Sequence, residues 1–99
     1  MRANPDVDAI YCGSDLIARG VGDALRELGK DVPGDIALIG TDNWDPIAIG
    51  ARPALTTIDP DLNKIGRLAA GCLLDAIDGR PHTGVQRITG QLVVRGSTN

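Results

Sequence analysis

Phenylalanine is missing from this chain of 99 residues, and tryptophan and tyrosine occur once each, at Trp44 and Tyr11. A core built with so few rings has to be aliphatic, supplied by Ala, Ile, Leu and Val. Long apolar runs are missing too: no stretch of 18 apolar residues exists, so nothing reads as a membrane-spanning helix. The opening Met1-Arg2-Ala3-Asn4-Pro5-Asp6 has no apolar segment of signal-peptide type. A basic excess is also lacking. Ten Lys plus Arg face 13 carboxylates, and the arginines are scattered, whereas a nucleic-acid module carries its cations as a patch. By itself the chain reads as a poor DNA binder.

The reactive residues are equally sparse. Cys12 and Cys72 lie far apart, each in an apolar segment, and His82 is the only histidine. No Cys-x-x-Cys pair or carboxylate cluster accompanies them, so no metal set can be drawn; the cysteines read as reduced core thiols of a cytosolic protein. His82, after Pro81, reads as a solvated surface residue. Gly-x-Ser-x-Gly, Gly-x-Gly-x-x-Gly and Gly-Lys-Ser/Thr are all absent, and Ser14 has no general base nearby in sequence. Nothing points to nucleophilic catalysis, a phosphate cradle or a cofactor. The chain reads as a binder and not as an enzyme.

What is present is the alternation of an α/β protein, at a length that makes one domain at most. Residues 7–12 (Val-Asp-Ala-Ile-Tyr-Cys) read as a strand ending in the corner Gly13-Ser14-Asp15. Ile17, Val21, Ala24, Leu25 and Leu28 then recur at helical spacing. Ser14 or Asp15 suits the start of that helix and Gly29 its left-handed exit. Gly20 and Gly22 inside it cost about 1 kcal/mol each relative to Ala, which predicts close backbone packing on one side. After the turn at 31–35, Ile36-Ala37-Leu38-Ile39-Gly40 is an unbroken apolar run, typical of a strand buried on both faces. Together these make one parallel, right-handed βαβ unit.

Residues 41–53 read as irregular, with a helical turn at 46–50, and Leu55-Thr56-Thr57-Ile58 as a short strand. Asp59 as N-cap and Pro60 at the first helical position predict a helix over 60–78. Its wide apolar stripe runs from Leu62 through Ile65, Leu68, Cys72 and Leu73 to Ile77, and Gly79-Arg80-Pro81 stops it. Residues 85–88 and 91–95 read as strands separated by a bend or bulge at Gly90.

In open parallel sheets, ligands sit beyond the carboxyl ends of the strands, where loops diverge and helix N-termini point inward. Two such ends are readable. One carries Ser14 and Asp15, the other Thr41, Asp42 and Asn43. A carboxylate there has about four acceptor positions and can hold two neighbouring hydroxyls, which suits a sugar or polyol. Asp42 is the main candidate. Asp15 reads more readily as a helix cap than as a ligand contact. Trp44 has two readings: a surface for sugar C–H faces at the lip of a cleft, or an anchor for its loop or for a dimer partner.

Five segments in register carry a specific resemblance: Asp8 to Asp15, Ala24 to Gly29, Val32-Pro33-Gly34-Asp35 through Asp42, Arg52 to Ile58, and Leu92-Val93-Val94-Arg95-Gly96-Ser97-Thr98. Over essentially its whole length the chain resembles the C-terminal portion of the effector-binding core of LacI/GalR-type transcription regulators. The resemblance implies part of a two-lobed, three-layer, periplasmic-binding-protein-like fold, with 1–51 and 85–99 in one lobe and 52–84 largely in the other. It implies a small-molecule effector in the cleft, a homodimer paired through the exposed face of helix 15–28 and the loop 46–50, and DNA binding only through a helix-turn-helix outside this chain. The chain is accordingly expected to be a fragment, and to self-associate or fold its second helix back if isolated.

Asp42 keeps the family's effector-contacting pattern. Ser14 departs from it, since relatives most often carry Asn there and a hydroxyl is shorter. Pro60 also departs, standing where many relatives have a cleft-facing Gln. A sugar-binding receptor of an importer shares the fold and is the alternative. Val32-Pro33-Gly34-Asp35 and Leu55-Thr56-Thr57-Ile58 lean to regulators.

Overall fold

A computed structural model describes residues 4–99. Its elements are β1 (Ala9–Tyr11), α1 (Asp15–Glu27), β2 (Ala37–Thr41), α2 (Asp45–Ala48), β3 (Thr56–Asp59), α3 (Leu62–Ile77) and β4 (Gln91–Val93). The four strands form one sheet in the order β1-β2-β3-β4. β1 pairs with β2 in parallel, placing Ile10 beside Leu38, and β2 pairs with β3 in parallel, placing Gly40 beside Thr57. β4 runs antiparallel to β3, so the sheet is mixed. Residues 56–59 therefore share the sheet of β1 and β2, although the resemblance puts 52–84 largely with the far lobe.

The first βαβ unit forms because its local signals agree. Ser14 caps α1, its Oγ accepting from the Ile17 N–H at 3.1 Å. At the other end Gly29 adopts φ 74. Its N–H bonds the Arg26 carbonyl and that of Lys30 the Leu25 carbonyl, the pairing that closes a helix on a left-handed glycine. α1 packs on β2 through Ala18, which joins Cys12, Leu38, Ala48, Ala51 and Leu55 in one buried cluster, and Leu25 is buried as well. The face of α1 nearer its start points outward: Leu16 and Ile17 are 61% and 57% exposed. The close backbone approach predicted at Gly20 and Gly22 is not what the glycines serve. A Cβ at Gly20 would meet nothing within 4 Å, and one at Gly22 would make ordinary contact with Leu38.

Two further expectations change. Helix α3 begins later than predicted, because Asp59 belongs to β3 and its carboxylate is already engaged there. Asp61 takes the cap instead, its Oδ1 accepting from the Lys64 N–H at 3.3 Å, and Pro60 precedes the helix. No strand forms over 85–88. A strand needs a ladder partner, and Val85 stands 77% exposed without one. Gly90 does mark a tight passage, since a Cβ there would lie 2.7 Å from the Asp59 carbonyl oxygen. α3 carries no buried residue, and the molecule is elongated, 58 × 28 × 20 Å.

Candidate functional site

The parallel register puts the carboxyl ends of β1, β2 and β3 on one edge of the sheet, and the four residues singled out in the sequence gather there. Gly40 permits this gathering, because any side chain at that position would overlap the Asp15 carboxylate. With only hydrogen there, the start of α1 sits directly on the end of β2.

Asp15 is 1% exposed, and both its oxygens are taken. Oδ1 accepts from the Thr57 hydroxyl at 2.6 Å and Oδ2 from the Trp44 N–H at 2.8 Å. One buried carboxylate thus ties α1 to β3 and to the loop after β2. Buried charge is tolerable only with such partners. Ser14 is half-buried, and its oxygen is engaged by the Ile17 N–H. Its hydroxyl proton remains available to a neighbour.

Asp42 follows β2 with φ 108 and its N–H donates to the Ile58 carbonyl at 2.8 Å. Its side chain is exposed and makes no hydrogen bond or ion pair among the described residues. Trp44, 55% exposed, starts the short helix α2 beside it. Sequence reasoning missed Tyr11. This residue is 62% exposed at the end of β1, with its hydroxyl 3.0 Å from Thr41 Oγ1, which also donates to the Cys12 carbonyl at 2.9 Å. The chain's only two aromatic rings therefore stand on the same strand edge as Asp42. Alternation of side chains along β1 was the available signal, but three residues are too few to declare a face.

Asn43, placed at this strand end by the sequence, is joined there by Asp59 and Arg95, which sequence reasoning missed as members of the site. The Asn43 amide donates to Asp59 Oδ2 at 3.0 Å and accepts from Arg95 Nη2 at 2.7 Å. The Asn43 amide, followed by the Asp61 N–H, holds the Asp59 carboxyl below the usual carboxylate range. Burial pushes the Cys12 thiol up, which fits a neutral core group rather than a reactive one. Cys72 is only half-buried, on α3, and so is not the core thiol expected. His82 makes a 2.7 Å contact with Asp75 on the exposed end of α3.

The arrangement offers a free carboxylate, a hydroxyl and two aromatic rings along an open edge, a set suited to binding hydroxyl-bearing molecules. Among the described residues no group of His, Cys, Asp and Glu could hold a metal ion, and no helix is long and apolar enough to cross a membrane. A cavity of about 130 Å³ lies elsewhere, between α1 and residues 51–53, and none of the four candidate residues lines it. That cavity is lined by core residues such as Ala18, Leu38 and Leu55 and by charged ones such as Arg19, Asp23 and Arg26, away from the strand edge.

Residues 1–98 match the periplasmic binding protein-like domain family. The chain is 38% identical over 94 residues to the HTH-type transcriptional regulator MalR of Streptomyces coelicolor, covering 94% of this chain and 27% of that protein. Its backbone is similar to that of the transcriptional regulator CelR in complex with cellobiose, with a TM-score of 0.86, 34% identity, and coverage of 97% of this chain and 29% of that one. It is likewise similar to a lac repressor dimer bound to operator and an anti-inducer, with a TM-score of 0.85, 31% identity, and coverage of 92% and 32%. The chain spans about a quarter of the length of the curated relatives it matches. It belongs to the periplasmic binding protein-like domain family, in the form carried by LacI-type transcription regulators.

Proposed function

We propose that this chain recognises a sugar or related polyol as the effector-sensing part of a LacI-type transcription regulator, and that it binds without catalysing. The observation that carries this reading is the exposed Asp42 carboxylate, unpaired among the described residues, at the carboxyl ends of the parallel strands β1–β3, with Trp44 and Ser14 on the same edge. The cellobiose complex of CelR supports the ligand class. The regulators among the relatives favour this reading over an importer's receptor.

Within it, Asp42 accepts from two sugar hydroxyls, Ser14 donates a weaker third bond, and Trp44 offers a ring to a sugar's C–H face. Asp15, the fourth candidate read from the sequence, contributes by holding the Trp44 loop through its 2.8 Å bond. The lobe holding α1 reaches to residue 59, because β3 is bonded into its sheet, and α3 belongs to the second lobe. Homodimerisation uses the outward residues of α1 and the α2 region, where Leu16, Ile17 and Ile49 are exposed; that the similar lac repressor is a dimer supports homodimerisation as such. DNA is engaged through a helix-turn-helix outside residues 1–99, in the cytoplasm.

The test is calorimetry on the full-length regulator after a thermal-shift screen of mono- and disaccharides that includes cellobiose. Asp42→Ala is expected to weaken binding about 10- to 100-fold, the value of hydrogen bonds to a charged group. Unchanged affinity removes the assignment.

A further inference from the structure

Asp42 and Asn43 are consecutive non-glycine residues with positive φ, 108° and 56°. Such backbone costs on the order of 1–3 kcal/mol per residue and persists only where its surroundings hold it. The holding groups come from β3, which leads to α3, and from the segment beyond β4. From β3, the Thr57 hydroxyl accepts from the Asn43 N–H at 3.3 Å and Asp59 accepts from the side-chain amide at 3.0 Å. From the segment that follows β4, Arg95 donates to Asn43 Oδ1 at 2.7 Å and, with its other nitrogen, to the Leu55 carbonyl at 2.9 Å. The Arg95 N–H donates to the Thr56 hydroxyl at 2.8 Å.

The chemistry admits one arrangement. Asn43 lies between a guanidinium that can only donate and a carboxylate that can only accept, so its amide oxygen faces Arg95 and its nitrogen faces Asp59. The half-buried Arg95 makes no ion pair among the described residues and spends its planar fork on two neutral oxygens. Lysine has no such fork and cannot span both.

We propose that Arg95, acting through Asn43, is the positioning residue of the effector site: it locks the backbone at 42–43 so that Asp42 is preset for ligand, and it ties that loop to the strands leading to and from α3. The inference rests on the reading of Asp42 as an effector contact.

Its first test needs no ligand. In the 99-residue chain, Arg95→Ala is expected to speed amide exchange at Asn43 and Trp44 at least tenfold while Cys12 and Ala18 exchange as before. Arg95→Lys should restore little of the protection. Equal acceleration everywhere marks a merely structural role and overturns the inference, as does an unchanged loop. If Arg95→Ala does not fold, Asn43→Ala removes the same bridge while leaving the bond to Leu55, and the same outcomes decide. The second test is calorimetry with cellobiose on the full-length regulator. Arg95→Ala should weaken binding about tenfold, and Asp42→Ala combined with Arg95→Ala should be no weaker than Asp42→Ala alone. Additive losses overturn the inference and spare the effector reading. An Asp42→Ala variant that binds normally overturns both.

Discussion

At the scale of single residues, the strand edge divides its carboxylates by what each already touches. Asp15 is buried with both oxygens engaged, Asp59 is half-buried and shared between Asn43 and Asp61, and Asp42 is exposed and unpaired among the described residues. Sequence favours Asp42 for ligand and reads Asp15 and Asp59 as helix caps, but it does not show what Asp15 and Asp59 engage, because Thr57, Asn43 and the Trp44 N–H arrive from other segments. Asp59 makes the division measurable. Its pKa is depressed in the fold, so its contribution to stability is fully present above the unfolded value near pH 4 and is lost as pH falls through the lower folded value. Melting temperature followed from pH 5 to pH 2 should fall less steeply in Asp59→Asn than in the parent, since the amide can still accept from Asn43 but no longer titrates. Parallel curves would show that the Asn43–Asp59 bond has no part in acid sensitivity.

Among the elements, those with agreeing local signals are the ones read correctly from sequence. α1 has its serine cap, its left-handed glycine and an aliphatic partner in β2, and it forms within one or two residues of expectation. α3 begins at Leu62 because two aspartates compete for one role and β3 pairing claims the first. The consequence is specific: Asp61→Ala should lower stability by about 0.5–2 kcal/mol with loss of helical circular dichroism, whereas Asp59→Ala should spare the helix signal more. The reverse order would restore the cap to Asp59. β4 ends at Val93, short of the predicted 95, because the Arg95 N–H turns to the Thr56 hydroxyl.

On the scale of the whole molecule, the sheet and α1 hold a core, and α3 holds none. Leu62, Leu73 and Leu74 are each 62% exposed and Ile77 is 70% exposed. Burying one such side chain is worth about 1.5–3 kcal/mol, so a face with several has a strong drive to find a cover. The 99-residue chain is expected to self-associate in light scattering, and Leu73→Lys with Ile77→Lys to shift it toward monomer. A parent chain that stays monomeric with α3 exposed would show that this face tolerates water.

The sequence alone determined the βαβ unit, the strand edge that carries the candidate site and the family resemblance, because periodicity, caps and turn residues are local and act wherever the chain goes. It did not determine what Asp15 and Asp59 bond to, that Tyr11 joins the edge, or that Arg95 reaches Asn43 across 52 residues of chain. Those are pairings between distant segments, decided by the mixed sheet that brings β4 back against β3 and by the space that Gly40 leaves for Asp15.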